Sequence, residues 1–295
     1  MIITNNLNLP SALVEAVSND SHNKDGAYSA TTLLKGTCET ILMKRHWNEI
    51  KTDASENIWR IFGTAVHSIF EKQKDNSFKE EFFCVDVSNS KVTGRVDSYD
   101  MENETIVDWK TASVWKVQFK DFSDWEEQGL IYAWLLKKNG LNVKKCRFIA
   151  LLKDHSKSKA RFDASYPQSP VFVFEFDVTE KDLQLIGEFI EGKIKALEIA
   201  ETLQEENIEP CSDEERWATE SKYAVMKKGR KTALKLCDTK EEAEQYKKDK
   251  GGDFIEFRQG ESRKCLDYCI CSEFCPYRKK MDEKKTGKHG KCAGA

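Results

Sequence analysis

KVTGRVDSYDMENETIVDWKT, residues 91–111, reads as a β-hairpin. The β-branched residues Val92, Thr93 and Val96 mark a first strand, and Thr105, Ile106 and Val107 mark a second. The polar run Met101-Glu102-Asn103-Glu104 between them supplies the turn. Side chains alternate along a strand, so Asp108 and Lys110 share a face of the second strand, and Asp97 approaches them from the first. Two carboxylates and an amine therefore converge. Oxygen ligands of this kind suit Mg²⁺ or Mn²⁺, ions that orient a phosphate and activate water, while a nearby lysine can hold the water or offset charge on phosphate oxygens. An Asp-x-Lys taken alone is more often a surface ion pair on an exposed hairpin, so the surrounding sequence has to decide.

Working outward, a chain of 295 residues can hold one substantial core and an appended module. Charged residues make up 33% and hydrophobic ones 39%, which excludes fibrous and disordered classes. No apolar run approaches the roughly 20 residues that span a bilayer, so no membrane partner is expected. The opening MIITNNLNLPSALVEAVSND lacks a basic segment followed by an apolar one, and we expect a reducing, cytoplasmic setting. Ten cysteines in such a setting are not expected to pair as disulfides. The net charge of −3 does not announce a nucleic-acid partner, although basic runs such as Lys227-Lys228-Gly229-Arg230-Lys231 are local exceptions.

The spacing predicts a helix capped by Ser29 and carrying Leu33, Leu34, Cys38, Ile41 and Leu42 on one face, to about Trp47. A second helix is predicted from about Ile58 to Lys72, with His67 and Glu71 four apart on one face. A third, 122–138, carries Gln128 and Tyr132 four apart and stops at Asn139-Gly140. Strands follow at 147–152 and 171–176, and Thr179 with Asp182 reads as a capping box for a long helix closed before Pro210. Short strands at 223–226, 233–236 and 254–257, with a charged helix at 240–248, mark 213–262 as a small α+β insertion. Residues 281–295 read as a flexible tail.

Cys265, Cys269, Cys271 and Cys275 crowd into eleven residues, which in a reducing compartment points to metal ligation. Thiolates hold Zn²⁺ or an iron–sulfur cluster, and spacing leaves both open. Cys38 would join them if the N-terminal helix packs beside the cluster; otherwise it is a small buried hydrophobe.

In order along the chain, FGTAVHSIFEK at 62–72, GRVD at 94–97, IVDWKT at 106–111 and QGLIY at 128–132 resemble the RecB-like branch of the PD-(D/E)XK nuclease superfamily. The stretches at 33–50, 210–217 and 264–277 resemble phage-encoded members. The resemblance implies an α/β fold: a restriction-endonuclease-like core with a central mixed sheet flanked by helices in 1–212. To this are added the insertion at 213–262 and a cysteine stretch, 263–280, that completes the nuclease domain and joins the chain's two ends. It also implies that His67, Asp97, Asp108 and the carbonyl of Trp109 bind Mg²⁺ or Mn²⁺. Lys110 would position or activate water, and Gln128 and Tyr132 would contact DNA or order the site.

A subset of the branch holds a 4Fe–4S cluster on one early and three late cysteines, which here would be Cys38, Cys265, Cys269 and Cys275, with Zn²⁺ the alternative. Cys271 is extra to that pattern, and Asp108 stands where many relatives carry Glu. The implied activity is a metal-dependent DNA exonuclease giving 5′-phosphate ends from single strands or duplex ends, in phage-type recombination or DNA processing beside a recombination or replication protein. A DNA-binding or structural protein that keeps the fold after cleavage has lapsed is the other reading.

Overall fold

The structure is a computed structural model that describes residues 1–18, 27–73 and 77–289. The chain divides into two compact units, Met1–Ile41 with Trp47–Leu203, and Leu42–His46 with Gln204–Ala295.

The first unit is built on a mixed sheet of six strands: β1 (Ala27–Ser29), β2 (Ser77–Val87), β3 (Ser90–Asp100), β4 (Thr105–Ala112), β5 (Lys145–Leu152) and β6 (Val171–Asp177). Along one edge β3 pairs antiparallel with β2, from Ser77↔Asp100 to Val87↔Ser90. Its other edge is shared: the start runs parallel to β1, and the end pairs antiparallel with β4. β4 then runs parallel to β5, and β5 antiparallel to β6.

The hairpin predicted at 91–111 is present but pairs over only Ser98↔Val107, Tyr99↔Ile106 and Asp100↔Thr105. Beyond Ser98 and Val107 the strands part, while β4 stays paired with β5 on its other edge along its whole length. Asp97 and Asp108 are the first residues past the fork.

The helices of this unit include α1 (Thr37–His46), which continues into the second unit, α2 (Ile58–Glu71), α3 (Val114–Phe119), α4 (Ser123–Lys138), α5 (Lys157–Phe162) and α6 (Glu180–Thr202). Ser29 does cap a helix, accepting from Thr32 N, but that helix ends at Leu33. The chain restarts as α1 with Gly36 at its N-cap, so the single helix predicted from Ser29 to Trp47 is two. Glycine in a helix interior costs about 0.5–1 kcal/mol relative to alanine, which favours a break there. Between β5 and β6 the chain forms the short helix α5, capped by Ser156, whose side chain accepts from Lys159 N. The capping box of α6 forms as read, with Thr179 and Asp182 exchanging side-chain and backbone hydrogen bonds.

Two glycines let α4 lie close on the sheet. A Cβ on Gly129 would stand 3.1 Å from Phe148 and Phe176, and one on Gly94 of β3 would stand 2.7 Å from Leu135 Cδ1. Ile106, Phe148, Ile131, Leu135 and Leu136 are fully buried, as are Ile190, Ile194 and Leu197 of α6. Each such side chain is worth about 1.5–3 kcal/mol on removal from water.

In the second unit β7 (Lys222–Met226) is flanked by β8 (Lys235–Cys237) and β9 (Phe254–Arg258), all antiparallel, with α7 (Lys240–Lys250) between β8 and β9 in the chain. Val225, Cys237 and Ala243 are its buried centre, packed by Tyr223, Leu234, Tyr246 and Ile255. A bridge Ala218↔Ser262, with Lys264 N donating to Arg216 O at 3.1 Å, ties this module to α8 (Arg263–Asp267). The stretch 263–280 therefore falls in the same unit as 213–262. α9 (Pro276–His289) covers much of the segment expected as a flexible tail, and residues 290–295 lie outside the described ones.

Candidate active site

Four elements of the first unit carry the residues singled out around the hairpin. His67 comes from α2, Asp97 from β3, Asp108 and Lys110 from β4, and Gln128 and Tyr132 from α4. At the fork, Asp97 Oδ2 accepts a hydrogen bond from Trp109 N at 2.8 Å, which uses a backbone donor that strand pairing has left over. Its other oxygen, Oδ1, lies 3.2 Å from His67 Nδ1. The Trp109 ring stacks on Phe70 of α2 with centroids 4.0 Å apart, which holds that helix against the strand bearing the acids.

A further carboxylate enters from β2. Pairing of β2 with β3 omits one position, Glu80 opposite Asp97, where Glu80 has φ 51°. Left-handed backbone costs a non-glycine residue about 1–2 kcal/mol, and two acids directly opposite across strands repel. The His67, Glu80 and Asp97 ligand atoms nevertheless lie within 4.8 Å of one another. Hydrogen bonding to Asp97 and then Glu80 pushes His67 up to about 10, against the effect of burial, so a protonated imidazole stands among these acids at neutral pH. Nothing in the sequence distinguished Glu80 from its neighbour Glu81; its role depends on a backbone angle.

Asp108 is almost wholly buried, and burial, opposed by Lys110, pushes its carboxyl up to about 6. Lys110 Nζ lies 2.8 Å from Asp108 Oδ1, an ion pair with a buried carboxyl. Lys110 Nζ also donates to Gln128 Oε1 at 2.8 Å, and Gln128 Nε2 donates to Tyr132 Oη at 2.9 Å. Both residues are buried behind the lysine, and burial raises the Tyr132 phenol so that it stays neutral. The relay Asp108–Lys110–Gln128–Tyr132 thus fixes the ammonium beside the acids.

The sequence profile of the PD-(D/E)XK nuclease superfamily matches residues 8–276. The chain belongs to that superfamily.

Solved structures similar to this PD-(D/E)XK protein include SSO0001, at 15% identity and a TM-score of 0.45, covering 62% of this chain and 83% of that one. An alkaline exonuclease (LHK-Exo) from Laribacter hongkongensis is 10% identical over 59% of this chain and 89% of its own, with a TM-score of 0.39. A phage related exonuclease from Haemophilus somnus 129PT is 14% identical over 63% and 78%, with a TM-score of 0.29. A search of curated proteins found no match.

The donor set of this PD-(D/E)XK site fits a hard divalent ion: the carboxylates of Glu80 and Asp97 and the His67 imidazole gather within 4.8 Å of one another, and the buried Asp108 carboxyl, paired with Lys110, is a further oxygen donor of the site. The cysteines lie elsewhere. In the second unit Cys265 is buried, and its thiol is pushed up to about 11 by burial and by the neighbouring Cys269, Cys275 and Cys211. Cys269 Sγ lies 3.5 Å from Cys271 Sγ. Thiols crowded so that each disfavours ionisation of the next suit a bound cation, which would favour the thiolates. Cys211 was not among the residues singled out, though it sits in one of the stretches that carried the resemblance. Cys38 is buried on α1 in the first unit.

Proposed function

We propose that this PD-(D/E)XK protein is a divalent-metal-dependent deoxyribonuclease. It acts as an exonuclease on single strands or duplex ends and leaves 5′-phosphates, in phage-type recombination or DNA processing beside a recombination or replication protein. The observation that carries the reading is the gathering of His67, Glu80 and Asp97 within 4.8 Å of one another, with the buried Asp108 paired to a lysine that Gln128 holds.

In this reading His67, Asp97, Asp108 and the carbonyl of Trp109 hold Mg²⁺ or Mn²⁺, and Glu80 lies within reach of the same ion. When bound, the ion neutralises phosphate oxygens and lowers the pKa of water, the two needs of in-line attack on phosphorus. Lys110 Nζ positions the attacking water and offsets charge on the phosphate. Gln128 and Tyr132 hold that amine in place, a role their burial favours over direct contact with DNA. Cys38, Cys265, Cys269 and Cys275 hold a 4Fe–4S cluster, with Zn²⁺ the alternative at the same thiolates. Exonuclease over endonuclease rests on the family resemblance.

The test is digestion of end-labelled DNA with Mg²⁺ and with EDTA. The wild-type protein should release labelled nucleotides only with the metal, and folded Lys110→Ala and Asp108→Ala should release none. Undiminished digestion by Lys110→Ala would overturn the assignment. A wild-type protein that binds DNA and never cuts it would favour a fold whose cleavage has lapsed.

A further inference from the structure

Past Lys110, at the end of β4, the first unit leaves large rings in water. Trp59 and Phe62 of α2 are 59% and 46% exposed, and Trp115 and Phe119 of α3 are 58% and 74% exposed. A folded surface ordinarily covers such rings, and four together are out of keeping with a face that meets only water.

Their placement follows from contacts on either side. α2 and β4 run in opposite directions, since Phe70 stacks on Trp109 while Gly63, seven residues earlier, lies against Thr111. The Trp59 end of α2 therefore lies beyond Thr111. Lys153, which follows β5, donates its N–H to Ala112 O at 3.0 Å and sets its Nζ over the Trp59 ring at 4.0 Å. Asp154 accepts from Ser113 Oγ at 2.7 Å and Val114 N at 2.8 Å, which anchors the start of α3 to the same turn. Trp115 and Phe119 stack with centroids 5.7 Å apart. Trp59 is eight residues from His67 on one helix, so it stands about 12 Å away along the axis.

We infer that these exposed rings, with Lys153 beside Trp59, form an aromatic ridge that binds a single-stranded segment of the DNA whose end occupies the acid cluster. The inference rests on the nuclease reading above and adds the form of the substrate. Bases of a duplex are stacked on one another, and only unpaired ones offer a free face to a tryptophan or phenylalanine. An ammonium beside the rings matches a phosphate backbone, whereas an apolar protein partner would find a buried charge in its path. The ridge is continuous with the site through β4 and α2, so a strand lying on it can reach the acids.

The experiment measures binding by fluorescence anisotropy in EDTA, where nothing is cut, with a labelled oligo(dT) and a labelled blunt hairpin duplex. Trp59→Ala/Trp115→Ala should bind oligo(dT) at least tenfold more weakly than the wild-type protein, while Trp59→Phe/Trp115→Phe stays within about threefold. Affinity for the hairpin should change little. Equal oligo(dT) affinity for the alanine variant and the wild-type protein overturns the inference, and so does an equal loss for both DNAs. Quenching of the wild-type protein's own tryptophan fluorescence by oligo(dT) reads the same contact without a variant, and its absence also overturns the inference. Mg²⁺-dependent digestion that persists alongside unaltered oligo(dT) binding would sink the ridge and leave the nuclease; a wild-type protein that digests nothing would sink the nuclease reading itself.

Discussion

His67 holds a proton that a metal bound through its imidazole would displace. Its pairing with Asp97 and Glu80 lifts it to about 10, so it stabilises the metal-free fold fully below its ordinary value of 6.5, and that contribution fades as pH rises through 10. Asp108 is raised as well, by burial, so its contribution is present below 3.8 and lost as pH rises through about 6. In EDTA, therefore, the melting temperature of the wild-type protein should fall between pH 6.5 and 10 relative to that of His67→Gln. Binding of Mn²⁺ at pH 7.5 should release a proton, seen as a calorimetric heat that depends on the buffer's ionisation enthalpy, and His67→Gln should lose that dependence. Metal binding without proton release would show that the imidazole is not a ligand. Glu80 offers a second check at this scale: Glu80→Gln should weaken Mn²⁺ binding at least tenfold if its carboxylate reaches the ion, and leave the affinity unaltered if it merely pairs with His67.

Among the elements, α4 decides the position of the lysine. It can approach the sheet because Gly94 and Gly129 present no side chain to it, and that approach brings Gln128 within 2.8 Å of Lys110. Gly94→Ala should cost about 1–3 kcal/mol in urea unfolding, because its new methyl meets Leu135 and Tyr132 in a packed core. Gly192→Ala on α6, where an added methyl meets nothing within 4 Å, should instead gain about 0.5–1 kcal/mol. Gln128→Ala should lower kcat on DNA by roughly 100-fold, since a lysine released from its partner loses its alignment, and should also lower the melting temperature, since Lys110 and the buried Tyr132 hydroxyl both lose a partner. A kcat within twofold of the wild-type value would assign the relay no part in positioning.

Across the whole molecule the open matter is the cysteine centre. If Cys38, Cys265, Cys269 and Cys275 hold a 4Fe–4S cluster, anaerobically purified protein should be brown with broad visible absorbance. Alanine at any of the four should bleach it, and Cys271→Ala should keep its colour. A colourless protein with one equivalent of zinc would decide for the alternative metal. Bleaching by Cys211→Ala while Cys38→Ala stays brown would move the fourth thiolate from the first unit to the second, where Cys211 already neighbours Cys265.

Much of this was legible in the chain itself. The strands at 91–111, the helices bearing His67 and Gln128, the capping box at Thr179 and the α+β module were readable because each depends on local periodicity, turn chemistry and capping. Folding added what involves residues distant in sequence. The hairpin pairs over only three positions while β4 pairs on its other edge with β5, a strand more than thirty residues downstream, along its whole length, and Asp97 and Asp108 are the first residues past the fork. Glu80 joins them through one left-handed backbone angle that no residue type announces. Cys211 meets Cys265 only once the loop after Pro210 docks on α8 through Arg216 and Lys264. Local preferences act through neighbours a few residues away and so are written in the sequence, whereas strand partners and the side chains that meet in a site are selected by packing of the whole chain, which no short window contains.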